Sequence, residues 1–126
     1  TFGGVVGTLV VRAFSLAVSR TGLTSAQAHA SGFATRETVI HAKDISHYFP
    51  GAEDVHVKLI VGKDTDRLLG GQIVGQHGVA KRIDVLATAL HHRLTVPELQ
   101  RLDLSYAPPF APVWDPILVA ANVAAR

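Results

Sequence analysis

The 126-residue sequence contains neither cysteine nor methionine. Without cysteine, a disulfide framework, a thiolate metal site and a cysteine nucleophile are all excluded within this chain. The compartment does not follow from that absence, because a cytosolic protein need not contain cysteine. Without methionine there is no initiator, and Thr1-Phe2-Gly3-Gly4 lacks the charged-then-apolar order of a signal peptide. The expectation is a piece of something longer. Charge is also sparse. Charged residues make up 17% of the chain, with 12 Lys and Arg interspersed among 10 Asp and Glu. That near balance argues against a nucleic-acid partner. No apolar run approaches the roughly 18 residues of a membrane span, so no membrane partner is expected. An apolar share of 48% is too high for a disordered segment, and the length suits one domain able to bury its own core.

Enzyme templates are missing as well. There is no G-x-G-x-x-G, no Walker motif, no H-E-x-x-H and no G-x-S-x-G elbow. Seven histidines are present, with His41 and His47 expected to flank a loop and His91-His92 to end a helix. Adjacent helical histidines diverge by about 100° and do not easily share an ion, so these read as exposed polar positions and no metal is expected. Lys81 and Asp84 read as a weak surface pair one helical turn apart.

What is present alternates between two periods. Val5 to Phe14 is rich in β-branched residues and predicts a strand, continued over Leu16 to Arg20 after a turn or bulge. Thr24-Ser-Ala-Gln27 has capping-box spacing and predicts a short helix ending at Gly32. Ala34 to Ala42 predicts another strand. After the Phe49-Pro50-Gly51 turn signal, Val55, Val57, Leu59 and Val61 alternate with His56 and Lys58, and Leu68 to Gly75 returns as the paired strand. Gly70 and Gly71 weaken that return and point to a bulge or a close backbone approach.

In Val79 to His92, the residues Val79, Ile83, Leu86, Ala87 and Leu90 form one helical stripe. Thr95-Val-Pro-Glu98 is a second capping box. Asp115-Pro116 predicts an N-cap with proline at the first helical position, opening a helix to about Ala124. That last helix is apolar nearly all round, which calls for cover on both sides, and a second subunit or domain is the expected second cover. The order of elements predicts an α+β fold with a mostly antiparallel sheet and helices packed on one face.

The segment with least periodicity is Leu102 to Pro116, LDLSYAPPFAPVWDP. Pro108, Pro109 and Pro112 fix φ and remove backbone donors, so the loop has little conformational freedom to lose. Such a loop presenting Tyr106, Phe110 and Trp114 suits either a contact surface or a lid whose aromatics cap the core. Tyr48, just before the turn, reads on its own as a surface aromatic.

LDLSYAPPFAPVWDP resembles the C-terminal signature of the pyridine nucleotide-disulfide oxidoreductase superfamily. GTLVVRAF, SRTGLTSAQA, YFPGA, VKLIV, LLGGQIVG and GVAKRIDVLATAL agree with it in the same order. The pattern is most similar to the branch of coenzyme A disulfide reductases, NADH oxidases and NADH peroxidases. The resemblance implies a lone dimerisation domain over residues 1–126, with the FAD- and NAD(P)H-binding domains and the redox cysteine elsewhere in a parent protein. It implies a cytoplasmic homodimer acting on coenzyme A disulfide or another small thiol or disulfide, with no cofactor held by this segment alone.

The His-Pro pair of glutathione-reductase-like members is replaced here by Tyr106-Ala107-Pro108, which favours the coenzyme A branch. By the same resemblance, Tyr48 and Tyr106 approach the redox centre of the partner subunit, and Ala107, Pro108 and Phe110 lie on the cofactor side. Two other readings compete: a freestanding interaction module built on the apolar helix and the proline loop, and a small-ligand site around Tyr106.

Overall fold

The computed structural model describes residues 2–126. The chain runs β1 (Leu9–Ala13), β2 (Leu16–Gly22), α1 (Ser25–Ala30), β3 (Thr35–Lys43), β4 (Asp54–Gly62), β5 (Leu68–Gly75), α2 (Val79–His91), α3 (Val96–Leu99) and α4 (Pro116–Ala124). The five strands form one sheet in the order β1-β2-β5-β4-β3, and every neighbouring pair is antiparallel. This is the α+β class expected from the order of elements.

Alternation along β4 explains how the sheet chooses its faces. Val55, Val57 and Leu59 are fully buried, whereas His56 between them is exposed and Lys58 half-buried. Their inner face joins Ile40 of β3 and Ile73 of β5 in one apolar cluster with Val79, Ile83 and Leu86 of α2 and Ile117, Ala120 and Ala121 of α4. α2 lies over β2 and β5, and α4 lies over β3 and β4. Burial of each Leu- or Ile-sized side chain contributes on the order of 1.5–3 kcal/mol, so this cluster is the main source of stability.

The pair of glycines in β5 does both things their sequence suggested. Ile60 pairs with Gly70 while Val61 pairs with Leu68, which leaves a bulge at Leu69. A Cβ on Gly70 would lie 2.0 Å from the Leu23 carbonyl oxygen, and one on Gly71 would lie 2.6 Å from Leu86 Cδ1. The space a side chain would need is therefore already occupied by backbone and by α2.

Both capping boxes form, at Thr24 with Gln27 and at Thr95 with Glu98, and Asp115 caps α4 through Ile117 N–H at 3.0 Å. Four expectations need correction. β1 starts at Leu9 and not at Val5, because Gly4 and Gly7 adopt positive φ of 83° and 69° and take the backbone out of strand geometry. The α2 stripe buries Ala89, while Ala87 is only half-buried; Arg82 joins Val79, Ile83 and Leu86 inside. The apolar α4 needs no second subunit as cover. Its small residues Ala120, Ala121 and Ala124 let the sheet and α3 approach, and only Val123, at 39%, is an exposed large hydrophobic on it. Lys81 and Asp84 form no ion pair among the described residues; Lys43–Asp54, Lys58–Glu37, Arg36–Asp66 and Arg82–Asp115 do.

Candidate functional site

Tyr48 sits in the connection between β3 and β4, residues 44–53, and Tyr106 in the connection between α3 and α4. Val55 pairs with Gly75, and Lys43 with Asp54. The Tyr48 loop therefore leaves the sheet at the same end at which β5 leads into α2.

Each loop is closed by its own hydrogen bonds. In the first, Asp44 is buried, and its Oδ1 accepts from Ile45 N–H and Glu53 N–H, both at 2.8 Å. Phe49 N–H then donates to the Ser46 carbonyl at 2.8 Å, which forms the turn that carries Tyr48. In the second, Ala107 bridges to Ala111, with Phe110 and Ala111 N–H both donating to the Ala107 carbonyl at 2.9 Å. Pro108 and Pro109 within that turn and Pro112 just after it restrict it further. One backbone bond joins the loops directly, from Ser46 N–H to the Pro108 carbonyl at 3.2 Å.

This arrangement brings the two tyrosines together although 57 residues separate them in sequence (positions 49 to 105). The Tyr106 phenol is held above its ordinary value of 10.0, first by the nearby Tyr48 phenol and then by partial loss of water. The Ser46 hydroxyl acts in the opposite direction. Tyr106 thus stays protonated and able to donate over the whole neutral range. Both rings still face outward, Tyr48 at 66% and Tyr106 at 48% exposure. A His47 ring packs edge-on against Tyr48, with centroids 5.4 Å apart.

The remaining residues named from the sequence fall on the same loop. Ala107 and Pro108 are half-buried behind Tyr106, while Phe110, Val113 and Trp114 are exposed. Phe110 lines a cleft of about 370 Å³ together with Asp44, His77, Lys81 and Ser105. Of the two readings left open for this loop, the aromatics form an outward surface and do not cap the core.

The glycines of β5 do not form a phosphate cradle. Gly70, Gly71 and Gly75 lie within β5, and the space beside them is filled by Leu23, Leu86 and Val55. No set of three or more His, Cys, Asp or Glu among the described residues is placed to hold a metal ion. His41 and His56 are cross-strand partners, with ring centroids 4.2 Å apart, on the sheet face away from the main cluster. Among the described residues, no helix is long and apolar enough to cross a membrane.

A residue the sequence reading passed over holds the site from below. Arg82 is buried in α2; its Nε donates to both carboxylate oxygens of Asp115 at 3.2 and 3.1 Å, and its Nη2 donates to the Asp44 carbonyl at 2.7 Å. The available signal was its position, three residues after Val79 and one before Ile83, inside the apolar stripe.

The description "pyridine nucleotide-disulphide oxidoreductase, dimerisation domain" matches residues 10–116. The chain is 42% identical over 122 residues to the NAD(P)H coenzyme A polysulfide/persulfide reductase of Pyrococcus horikoshii, which covers 97% of this chain and 27% of that protein. It is 31% identical over 110 residues to the coenzyme A disulfide reductase of Staphylococcus haemolyticus, covering 87% of this chain and 24% of that protein. The solved NAD-dependent persulfide reductase from A. fulgidus superposes with a TM-score of 0.96 at 40% identity, over 98% of this chain and 23% of that one. The chain therefore spans about a quarter of the length of these relatives. By its sequence and its fold together, this chain belongs to the dimerisation-domain family of the pyridine nucleotide-disulphide oxidoreductases.

Proposed function

We propose that this chain is the dimerisation domain of a longer FAD-dependent, NAD(P)H-using reductase of coenzyme A disulfide or a related persulfide. In this reading residues 1–126 form one domain of a cytoplasmic homodimer, and Tyr48 and Tyr106 serve the active site of the partner subunit. The observation that carries it is the joining of the two loops: the Ser46 N–H donates to the Pro108 carbonyl and so brings two exposed phenols, Tyr48 and Tyr106, to one place, where that of Tyr48 acts on that of Tyr106. The names of the relatives, which are reductases of coenzyme A disulfide and of persulfides, supply the substrate class.

The chemistry asked of the pair is modest. When a thiolate attacks a disulfide, negative charge collects on the departing sulfur, and exchange speeds up when that charge is stabilised. Tyr106, kept neutral by Tyr48, donates its phenolic hydrogen to that sulfur and keeps its proton throughout. FAD and NAD(P)H, held by other parts of the longer protein, would supply the electrons. Ala107, Pro108 and Phe110 would form the wall that shields the reacting sulfurs from water.

The test uses the longer protein. Replacing both phenols, Tyr48→Phe with Tyr106→Phe, should lower turnover with coenzyme A disulfide about 10- to 100-fold, somewhat less than the loss of a donor to a full oxyanion. The double variant should remain dimeric by light scattering. Wild-type turnover in that variant overturns the role given to the tyrosines.

A further inference from the structure

The two tyrosine loops share an anchor that neither loop supplies. Asp115 ends the loop of Tyr106, and its carboxylate both caps α4 and accepts from Arg82. Asp44 begins the loop of Tyr48; its carboxylate closes that loop on Glu53, and its carbonyl accepts from the same guanidinium. Arg82 itself sits in the first turns of α2, in the layer that packs on the sheet. One planar group thus fixes the root of each loop against a third element.

A stabilising role alone explains this poorly. The Arg82 and Asp115 side chains are 1% and 3% exposed, so both charges have lost nearly all their water. Buried ion pairs of this kind are often no more stable than well-packed apolar residues of similar volume. What an apolar pair could not supply is direction. The guanidinium donates from separate nitrogens along different lines, whereas a single ammonium or an alkyl group has no such fork.

We propose that Arg82 is the positioning residue of the tyrosine pair, setting the Tyr48 loop against the Tyr106 loop. This rests on the functional reading above for the importance of the pair, but not for the geometry. Arg82 touches no reacting atom; it acts through Asp44 and Asp115.

The chain offers a direct readout, since Tyr48 and Tyr106 are its only tyrosines. The rise in absorbance at 295 nm during an alkaline titration follows those two phenols, over a background from Trp114, which does not ionise in that range. In the unsubstituted chain the Tyr106 step should lie above the ordinary phenol value, raised by the nearby Tyr48 phenol and by partial loss of water. Arg82→Lys retains a positive charge for Asp115 but loses the second arm to the Asp44 carbonyl. Its far-UV circular dichroism should be unchanged, and the raised Tyr106 step should move down toward the ordinary phenol value. Arg82→Met combined with Asp115→Asn removes both charges, keeps an N-cap, and should lower that step in the same way.

If either folded variant titrates like the unsubstituted chain, Arg82 does not position the pair. That failure is separate from failure of the redox reading. A longer protein whose turnover ignores loss of both phenols would refute the redox role while leaving the titration result intact.

Discussion

Removing the Asp115 carboxylate tests the energetic account of this anchor most directly. In Asp115→Ala the Arg82 guanidinium, 1% exposed, keeps only the Asp44 carbonyl at 2.7 Å and the long contact with the Gly78 carbonyl at 3.5 Å. A buried charge stripped of its partner costs about 3–5 kcal/mol. Loss of the cap on Ile117 N–H adds about 1 kcal/mol. The expected total of about 4–6 kcal/mol is comparable with the whole stability of many domains, about 5–15 kcal/mol. Asp115→Asn restores the cap but not the charge and should cost about 1 kcal/mol less than the alanine variant. Arg82→Met with Asp115→Asn should come back to within about 2 kcal/mol of the unsubstituted chain, because no unpaired charge remains. Urea unfolding measures these three and Arg82→Met alone, with the midpoint moving and the slope constant. An alanine variant within about 1 kcal/mol of the parent refutes the account, and so does a double variant whose loss equals the sum of its single losses.

Other outcomes follow from separate parts of the structure. Gly70→Ala would set a Cβ 2.0 Å from the Leu23 carbonyl oxygen and 2.9 Å from its backbone nitrogen, so the chain joining β2 to α1 must shift. That shift should cost about 3 kcal/mol or more in urea unfolding, through overpacking and the Leu23–Leu69 hydrogen bond; a cost under about 1 kcal/mol would contradict it. Glu37 is held below its ordinary 4.5 chiefly by its hydrogen bond with Lys58, Asp54 below 3.8 by that with Lys43, and Glu98 below 4.5 by the Thr95 backbone N–H. Each contribution is therefore complete above the ordinary carboxylate range and disappears as pH falls through the lowered folded values. Tm should stay level on acidification until that range is reached and then decline, less steeply in Glu37→Gln. Trp114, 61% exposed beside the tyrosine loop, is placed for the proposed pairing of subunits. Trp114→Glu should shift the longer protein toward monomer in light scattering, and an unaltered dimer would exclude Trp114 from the interface.

Local chemistry made much of the fold readable. The β4–β5 pairing follows from a period of two in Val55, Val57, Leu59 and Val61, and three helix starts follow from Thr24 and Asp115, whose side chains accept from orphan N–H groups, and from Thr95, whose N–H and hydroxyl both donate to Glu98. Errors arose where a residue's partner lies far away in sequence. The all-round apolar pattern of α4 correctly demands burial on several sides, but it does not say who provides it. Alanines at 120, 121 and 124 reduce the helix radius enough for the sheet and α3 to cover it within the chain. Arg82 failed for a related reason. An arginine between Lys81 and Asp84 looks like part of a solvated face, and only its register within the stripe betrays that it points inward.

The tyrosine pair lies at the far end of that scale. No local period relates positions 48 and 106, and taken singly each is an aromatic next to a turn. The resemblance to known oxidoreductases named both residues, but it said nothing of what would hold them together. The structure shows a division between root and crest. Polar groups that cannot be left unpaired, Asp44, Arg82 and Asp115, are buried at the root, where a few charge-assisted bonds set direction. The crest can then expose Tyr48, Tyr106, Phe110 and Trp114 without collapsing onto the core, since its order does not depend on burying them. A loop stabilised by its own aromatics would have hidden the very surface that a partner or substrate must reach. Buried ions beneath exposed rings are therefore the arrangement expected of a surface meant to be met by something else.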